Sequence, residues 1–458
     1  MASFFRSPRR EQSFLLPPSM KEWLPNGDFT WFLLDAVSVM DLSIFRRGYS
    51  KDGRGQPAYE PDMMVAILLY AYAHGERSSR KIERLCERDI AFRIIAGNLK
   101  PDHTSFAGFR KRFENEIKTL FLKVLLLCKE AGLTKAGVIA IDGTKMAGNA
   151  SMAANRTREG LEEEITRILK EAEAKDTEEN KLYGEKRGDE LPKDLQDPQS
   201  RLSRVSECLA RVKAKEAALE AERVRHDAER KAKETASGKK LRGRKPKDGA
   251  KDKAPKANPT DPESRIMKTA RQFIQGYNAQ AAANKEQVIL AAEVTQDEND
   301  QKQLHPIIEK VAQNLTSINE ATKIGITLAD AGYATATALN MPVPKGVEVI
   351  MATMKDWKER KAMKEKPAPR GRIPAMLPAR ERMQRKRQTK RGQRLYRLRG
   401  QIIEPVFGQI KSARGIDQFS RRGLNACDSE WKLICATHNL LKLWRKGAKL
   451  SKKECKAV

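Results

Sequence analysis

Val138-Ile139-Ala140-Ile141-Asp142-Gly143-Thr144-Lys145 is the stretch whose reading decides the fold. Four apolar residues, three of them β-branched, run straight into an aspartate and a glycine. A short apolar run bounded by a turn pair reads as a buried strand. A carboxylate at the exit of such a strand can face a cleft beside the sheet, yet Asp-Gly is equally an ordinary turn pair. Asp142 is therefore a catalytic candidate or a plain turn residue, and its partners elsewhere in the chain decide which.

Composition bounds those partners. The chain has 458 residues, enough for two or three domains, with 89 Lys+Arg against 60 Asp+Glu and a formal net charge of +29. Charge on that scale points to a polyanion, above all nucleic acid. The longest apolar runs, residues 65–73 and 124–128, are too short to span a bilayer, so no membrane partner is expected. Phe4-Phe5-Arg6 is not followed by an apolar signal region, so the expected location is cytoplasmic, associated with the nucleoid. The six cysteines are scattered without a Cys-x-x-Cys pair and the five histidines are isolated, which argues against zinc. Any metal must be held by carboxylates.

Residues 1–131 read as an all-α, DNA-binding domain. Pro61-Asp62 opens an apolar helix that stops at His74-Gly75. Ser78-Ser79 caps a second helix over 80–87, and Asp89 caps a third over 90–96, stopped by Gly97. Two short helices around a tight turn, with Arg77, Arg80, Lys81, Arg84, Arg88 and Arg93 crowding them, resemble a helix-turn-helix. The alternative is a packing domain with solvated arginines. Further helices are expected over 105–113 and 114–131.

Residues 156–261 read as an insertion. Leu161, Ile165, Ile168 and Leu169 stripe one charged helix, and Leu202, Val205, Leu209 and Val212 another, as in a hairpin. Residues 239–261, rich in Pro, Gly and Lys, are expected to be disordered. Strand-like sequence then resumes at 274–282 and 288–294, with a turn at Ala283-Asn284-Lys285-Glu286, a helix over 301–315, and a strand over 324–329 that again delivers an aspartate, Asp330. Asp330 also suits the cap of a following helix. A strand over 347–351 precedes residues 355–399, which hold 18 Lys/Arg against four Asp/Glu and several prolines, and read as a mobile basic connector. A helix over about 398–412 carries Glu404, with Lys411 two turns on along the same face. A solvated helix charge is the alternative for Glu404. His438, on a closing helix over 430–444, reads as a hydrogen-bonded core histidine. The catalytic domain is then 132–155 with 262–445, followed by a basic tail, 446–458.

Two strand-end aspartates and a late-helix glutamate, in this element order, fit an α/β ribonuclease-H-like catalytic core that gathers them at one sheet edge. Hard oxygen ligands suit Mg²⁺, and a pair of ions can activate a water or 3′-hydroxyl and stabilise a leaving oxygen. The motifs IDGTKMAGNASMAAN (141–155), DPESRIMK (261–268), GYNAQA (276–281), LADAGY (328–333), EPVFGQIK (404–411) and PDHT (101–104) resemble the DDE transposases of bacterial insertion sequences, in the branch with an InsH-type N-terminal helical domain. The resemblance implies Asp142, Asp330 and Glu404 as a metal-binding triad for two Mg²⁺ ions, with Mn²⁺ able to substitute. It implies double-stranded DNA, both terminal inverted repeats and target, as partner, and a homo-oligomer on paired ends. Lys411, Arg399 and Tyr396 would contact DNA, although four residues rather than the family's three separate Arg399 from Glu404. Rival readings are a ribonuclease-H-like nuclease without strand transfer and a domesticated DNA-binding protein without activity. Finally, Arg242-Gly243-Arg244-Lys245-Pro246 and Arg370-Gly371-Arg372-Ile373-Pro374 both read Arg-Gly-Arg-x-Pro. Either they enter a narrow minor groove as an AT-hook does, or they are coincident linkers.

Overall fold

The computed structural model describes residues 19–49, 58–182, 198–237, 254–269, 271–354, 371–374, 376–448 and 450. The first Arg-Gly-Arg repeat, Arg370 of the second and most of the basic tail lie outside them.

Seven helices come first: α1 (Phe29–Val39), α2 (Ser43–Arg47), α3 (Pro61–Ala73), α4 (Ser79–Arg88), α5 (Ile90–Ile95), α6 (His103–Arg112) and α7 (Glu114–Glu130). Short polar residues start them where the sequence says they should. The carboxylate of Asp89 accepts the Phe92 N–H at 3.1 Å and that of Asp102 accepts the Ser105 N–H at 2.7 Å, each satisfying an otherwise orphaned helix donor. Gly75 leaves α3 at φ +81, and a Cβ there would lie 2.1 Å from the Arg414 carbonyl oxygen, so both backbone angle and space demand glycine. The two short helices expected around a tight turn are present. A single residue, Asp89, separates α4 from α5, and four of the six α5 residues (Ala91, Phe92, Ile94 and Ile95) are buried, so α5 packs rather than projects. The exposed cations of the pair, Arg80, Lys81, Arg84 and Arg88, belong to α4.

One mixed sheet follows. Its central strand, β1 (Val138–Ala147), runs antiparallel to β3 (Phe273–Asn284), with Ile139 opposite Asn284 and Ala147 opposite Gly276. On its other side β1 runs parallel to β5 (Ile326–Ala329), which is parallel in turn to β6 (Glu348–Met351). The far edge of β3 carries β2 (Arg265–Lys268) at its start and β4 (Ile289–Thr295) along the rest. Two expectations shift here. The β1 strand does not end at the Asp-Gly pair but continues five residues beyond Asp142, because the β3 ladder holds Gly143 opposite Gln280 and Lys145 opposite Asn278. Likewise Ala283 and Asn284, expected in a turn, pair with Ala140 and Ile139.

Between β1 and β2 lie α8 (Arg158–Leu182) and α9 (Pro198–Ser237), which pack on each other through Leu161, Ile168, Val205, Cys208 and Val212. This small cluster is separate from the main core. Leu169, assigned to that stripe, is instead 46% exposed. Residues 254–261 are not disordered as expected: Ala257 and Arg156 exchange backbone hydrogen bonds, and Asp261, 1% exposed, accepts the Tyr277 hydroxyl at 2.8 Å. Glu263 then accepts the Leu424 N–H at 2.8 Å, which caps the closing helix.

The remaining helices are α10 (Leu304–Ser317), α11 (Ala336–Asn340), α12 (Ala379–Gln388), α13 (Lys390–Gly408) and α14 (Leu424–Arg445). Residues 379–399 are thus helical rather than a connector, since Thr389 caps α13 through the Gly392 N–H at 2.9 Å and Arg391 pairs with Glu348. A π-turn, Gln409–Ala413, extends α13. The α14 helix lies against β4 on one side and against α3 and α7 on another. Trp431, fully buried, donates its indole N–H to the Gln280 carbonyl at 3.0 Å.

Candidate active site

Pairing between β1 and β5 ends at Ala140–Leu328. Beyond it, β1 keeps β3 on one side and has no strand on the other until the Ala147–Gln418 bridge. That notch is bordered by the elements that carry the sequence-predicted carboxylates. Asp142 stands in it on β1, Asp330 follows directly on β5, and α13 crosses it with Arg399 and Glu404.

Arg399 joins α13 to β1. One terminal nitrogen donates to Asp142 Oδ2 at 2.8 Å and the other to Glu404 Oε1 at 3.1 Å. The Arg399 side chain is only 14% exposed, whereas that of Glu404 is 62% exposed. Burial pushes the Asp142 carboxyl up to about 7; Arg399 opposes that rise, and Asp330 and Asp300 add to it. Burial pulls against the Arg399 guanidinium, but the surrounding acids outweigh it and raise its pKa. Asp330 is oriented by the Gly332 N–H, 2.7 Å from its Oδ1. Lys411 does not point to the carboxylates. Its ammonium donates to the Lys145 carbonyl at 2.7 Å, tying the π-turn to β1, and burial lowers its pKa. Tyr396 lies under the Arg387 guanidinium, 5.4 Å from ring centroid to charge.

A second set of residues, given no role in the sequence reading, lines the same notch. Asp300, ahead of α10, accepts Asn278 Nδ2 and Gln280 Nε2, each at 2.7 Å. Gln280 accepts the Tyr333 hydroxyl at 2.5 Å, and burial raises that phenol. Lys145 Nζ lies 3.6 Å from Asp300 Oδ1, and burial lowers its pKa against the pull of that carboxylate. Among the described residues no three acidic, imidazole or thiol groups stand close enough together to hold one ion. The Arg399 guanidinium stands between Glu404 and Asp142 and donates to both.

The predicted DNA-contact cations lie further along. Arg77 donates to the Gln418 carbonyl and faces the buried Glu430 at 3.5 Å, in a broad cleft shared with Lys81, Arg421 and Arg422. Arg80 and Arg84 are exposed on α4.

A family model described as a transposase domain (DUF772) matches residues 18–112, and one described as a transposase DDE domain matches residues 237–440. The chain belongs to the DDE transposases of insertion sequences. Comparison with curated proteins and with solved structures gives no match. The two matched segments leave out β1 and, with it, Asp142. DDE transposase domains act in transposition, on DNA, and generally use divalent metal ions. Among the described residues no helix is long and apolar enough to cross a membrane.

Proposed function

We propose that this transposase binds the terminal inverted repeats of its own element, hydrolyses the phosphodiester at each end and joins the freed 3′-hydroxyls to target DNA. The observation that carries this reading is the Arg399 bridge, which brings the α13 glutamate to the β1 aspartate beside Asp330. The strand order supports a ribonuclease-H-like core: an antiparallel β1–β3–β4 set continued by parallel β5 and β6.

Asp142, Asp330 and Glu404 are the groups that would hold divalent ions. The donors are oxygen only, which suits Mg²⁺ or Mn²⁺, and the burial of Asp142 beside other carboxylates leaves negative charge that a cation relieves. Two such ions, when bound, polarise a water or 3′-hydroxyl and neutralise the leaving oxygen. The chain's own groups do the rest. Arg399 holds Asp142 and Glu404 in register. Lys145 follows Asp142 on β1 and Lys411 lies against it from the π-turn, both at the edge of the notch that a phosphate backbone would enter. Arg77, Arg80, Lys81 and Arg84 supply a basic face for the ends, and a homo-oligomer holds two ends together in the cytoplasm, on the nucleoid. Residues 1–131, 156–261 and the split catalytic region serve as end-binding, inserted and catalytic parts of one chain.

The test is cleavage of DNA carrying the element's ends. D142N, D330N and E404Q are each expected to abolish Mg²⁺-dependent cleavage while still shifting end DNA on a gel. Retained cleavage by D330N would sink the assignment.

A further inference from the structure

We propose that Asp300 is a positioning carboxylate of the reaction centre: it fixes one oxygen in the sheet and presents the other beside Asp330. The inference rests on the metal-dependent reading above.

The turn containing Asp300 does not need this side chain. Asn299 Oδ1 accepts the Gln301 N–H at 3.2 Å, and the Gln303 N–H goes to the Asp300 backbone oxygen at 3.0 Å. No hydrogen bond of the Asp300 carboxylate caps α10. It turns instead to the sheet, where Asn278 and Gln280, both fully buried, donate to its Oδ1. Oδ2 receives no hydrogen bond from the described residues. A Cβ added to Gly332 would lie 2.9 Å from Asp330 Oδ1 and 3.5 Å from Asp300 Oδ2, so the two carboxylates flank one point. A Cβ at Gly143, next to Asp142, would lie 2.3 Å from Asp300 Oδ1. Each of the two aspartates thus has a glycine within two residues: at Gly143 the missing side chain is room that Asp300 occupies, and at Gly332 it is room that Asp330 occupies with Asp300 in van der Waals range. An anionic oxygen so placed accepts hydrogen bonds from water in the inner sphere of a divalent ion, orienting it without ligating the ion itself.

D300N separates this role from a structural one. Its amide oxygen still accepts from Asn278 and Gln280, while an N–H replaces the free oxygen. The expected result is a melting temperature within a few degrees of wild type, end-DNA binding unchanged, and Mn²⁺ affinity, measured by electron paramagnetic resonance on the full chain, lowered about ten- to a hundred-fold. Cleavage falls in parallel and is partly recovered at high Mn²⁺. Wild-type Mn²⁺ affinity and cleavage in D300N overturn the inference. So does lost affinity accompanied by a collapsed melting temperature in both D300N and D300E, which assigns Asp300 to folding alone. D142N is the control: if it loses Mn²⁺ while D300N does not, only this inference fails, and if it keeps Mn²⁺, the site itself is misassigned.

Discussion

Gly143 shows how closely the notch is built. Beyond Asp300, a methyl group there would come within 2.2 Å of Gln280 Nε2 and 2.9 Å of Asn278 Oδ1. All three are fixed by one another's hydrogen bonds, so none yields cheaply. Gly143→Ala is expected to destabilise the fold by about 1–3 kcal/mol, as overpacking does, and to remove cleavage. A urea midpoint equal to wild type with full activity would show that the network relaxes. The same residues explain what was legible in the sequence. Asp142 and Asp330 were visible because each follows an apolar run. Glu404 and Arg399 were visible through a spaced signature, and with the extra residue between them Arg399 still reaches both acids. Asp300 was not visible. It sits in Gln296-Asp297-Glu298-Asn299-Asp300, where any acid passes for turn chemistry, and its partners are 20 and 22 residues away on β3. The available signal was the pair of buried amides in GYNAQA, two polar residues on a strand too deeply buried for them unless something accepts their hydrogens.

At the scale of elements, strand and helix starts followed from apolar runs and caps, but lengths did not, because partners set them. The β1 strand outlasts its apolar run because β3 pairs with it, and the basic segment before Glu404 folds because Glu348 on β6 takes both Arg391 and Lys386. Pro405 within α13 costs the helix one N–H, and the Gln401 carbonyl left without it accepts Gln287 Nε2 at 2.9 Å. Gln287 belongs to the β3–β4 turn, and α14 grips the same turn. Asn439 donates to and accepts from the Ile289 backbone at 2.9 and 2.8 Å, and His438 Nε2 meets the Gln287 carbonyl at 2.9 Å. As the sequence suggested, His438 is a core histidine: burial lowers it to about 3, from an ordinary 6.5. Its folded pKa lies below the unfolded one, so its contribution is complete above pH 6.5 and is lost as the pH falls towards 3. The unfolded chain takes up the proton that the fold refuses. Roughly 2 kcal/mol should disappear between pH 7 and pH 5 from this residue. Urea midpoints at the two pH values test it: His438→Gln, which can still donate to Gln287, should show a flatter profile, and an unchanged slope would remove His438 as the cause.

Over the whole molecule, one hydrophobic core runs from the N-terminal helices to the sheet. Leu68, Tyr72, Leu120, Phe121 and Val124 belong to the same buried cluster as Ile139, Ile141, Trp431 and Ile434. Polar contacts cross the same boundary: Ser429 Oγ donates to the Glu114 carbonyl at 2.7 Å, and Arg421 pairs with Glu114. The half-buried Arg414 donates to Thr437 at 2.8 Å and to the Tyr72 carbonyl at 3.4 Å. The insertion differs, since α8 and α9 keep a small core of their own. These two arrangements predict opposite responses to deletion. Removing residues 1–131 would strip the cover from α14, exposing apolar side chains that each lose about 1.5–3 kcal/mol of burial. Several such losses exceed the 5–15 kcal/mol that holds a typical domain together. The truncated chain is expected to aggregate or to show no cooperative melt. Replacing residues 158–253 by a short linker should leave a cooperative melt, because Leu161, Ile168 and Val205 pack chiefly on one another. Differential scanning calorimetry of the two deletions decides it, and a soluble, cooperatively melting fragment from residue 132 onward would show that the shared core is not needed. Loss of end binding in that fragment therefore says nothing about recognition, and the α4 cations are better tested by point substitution in the full chain.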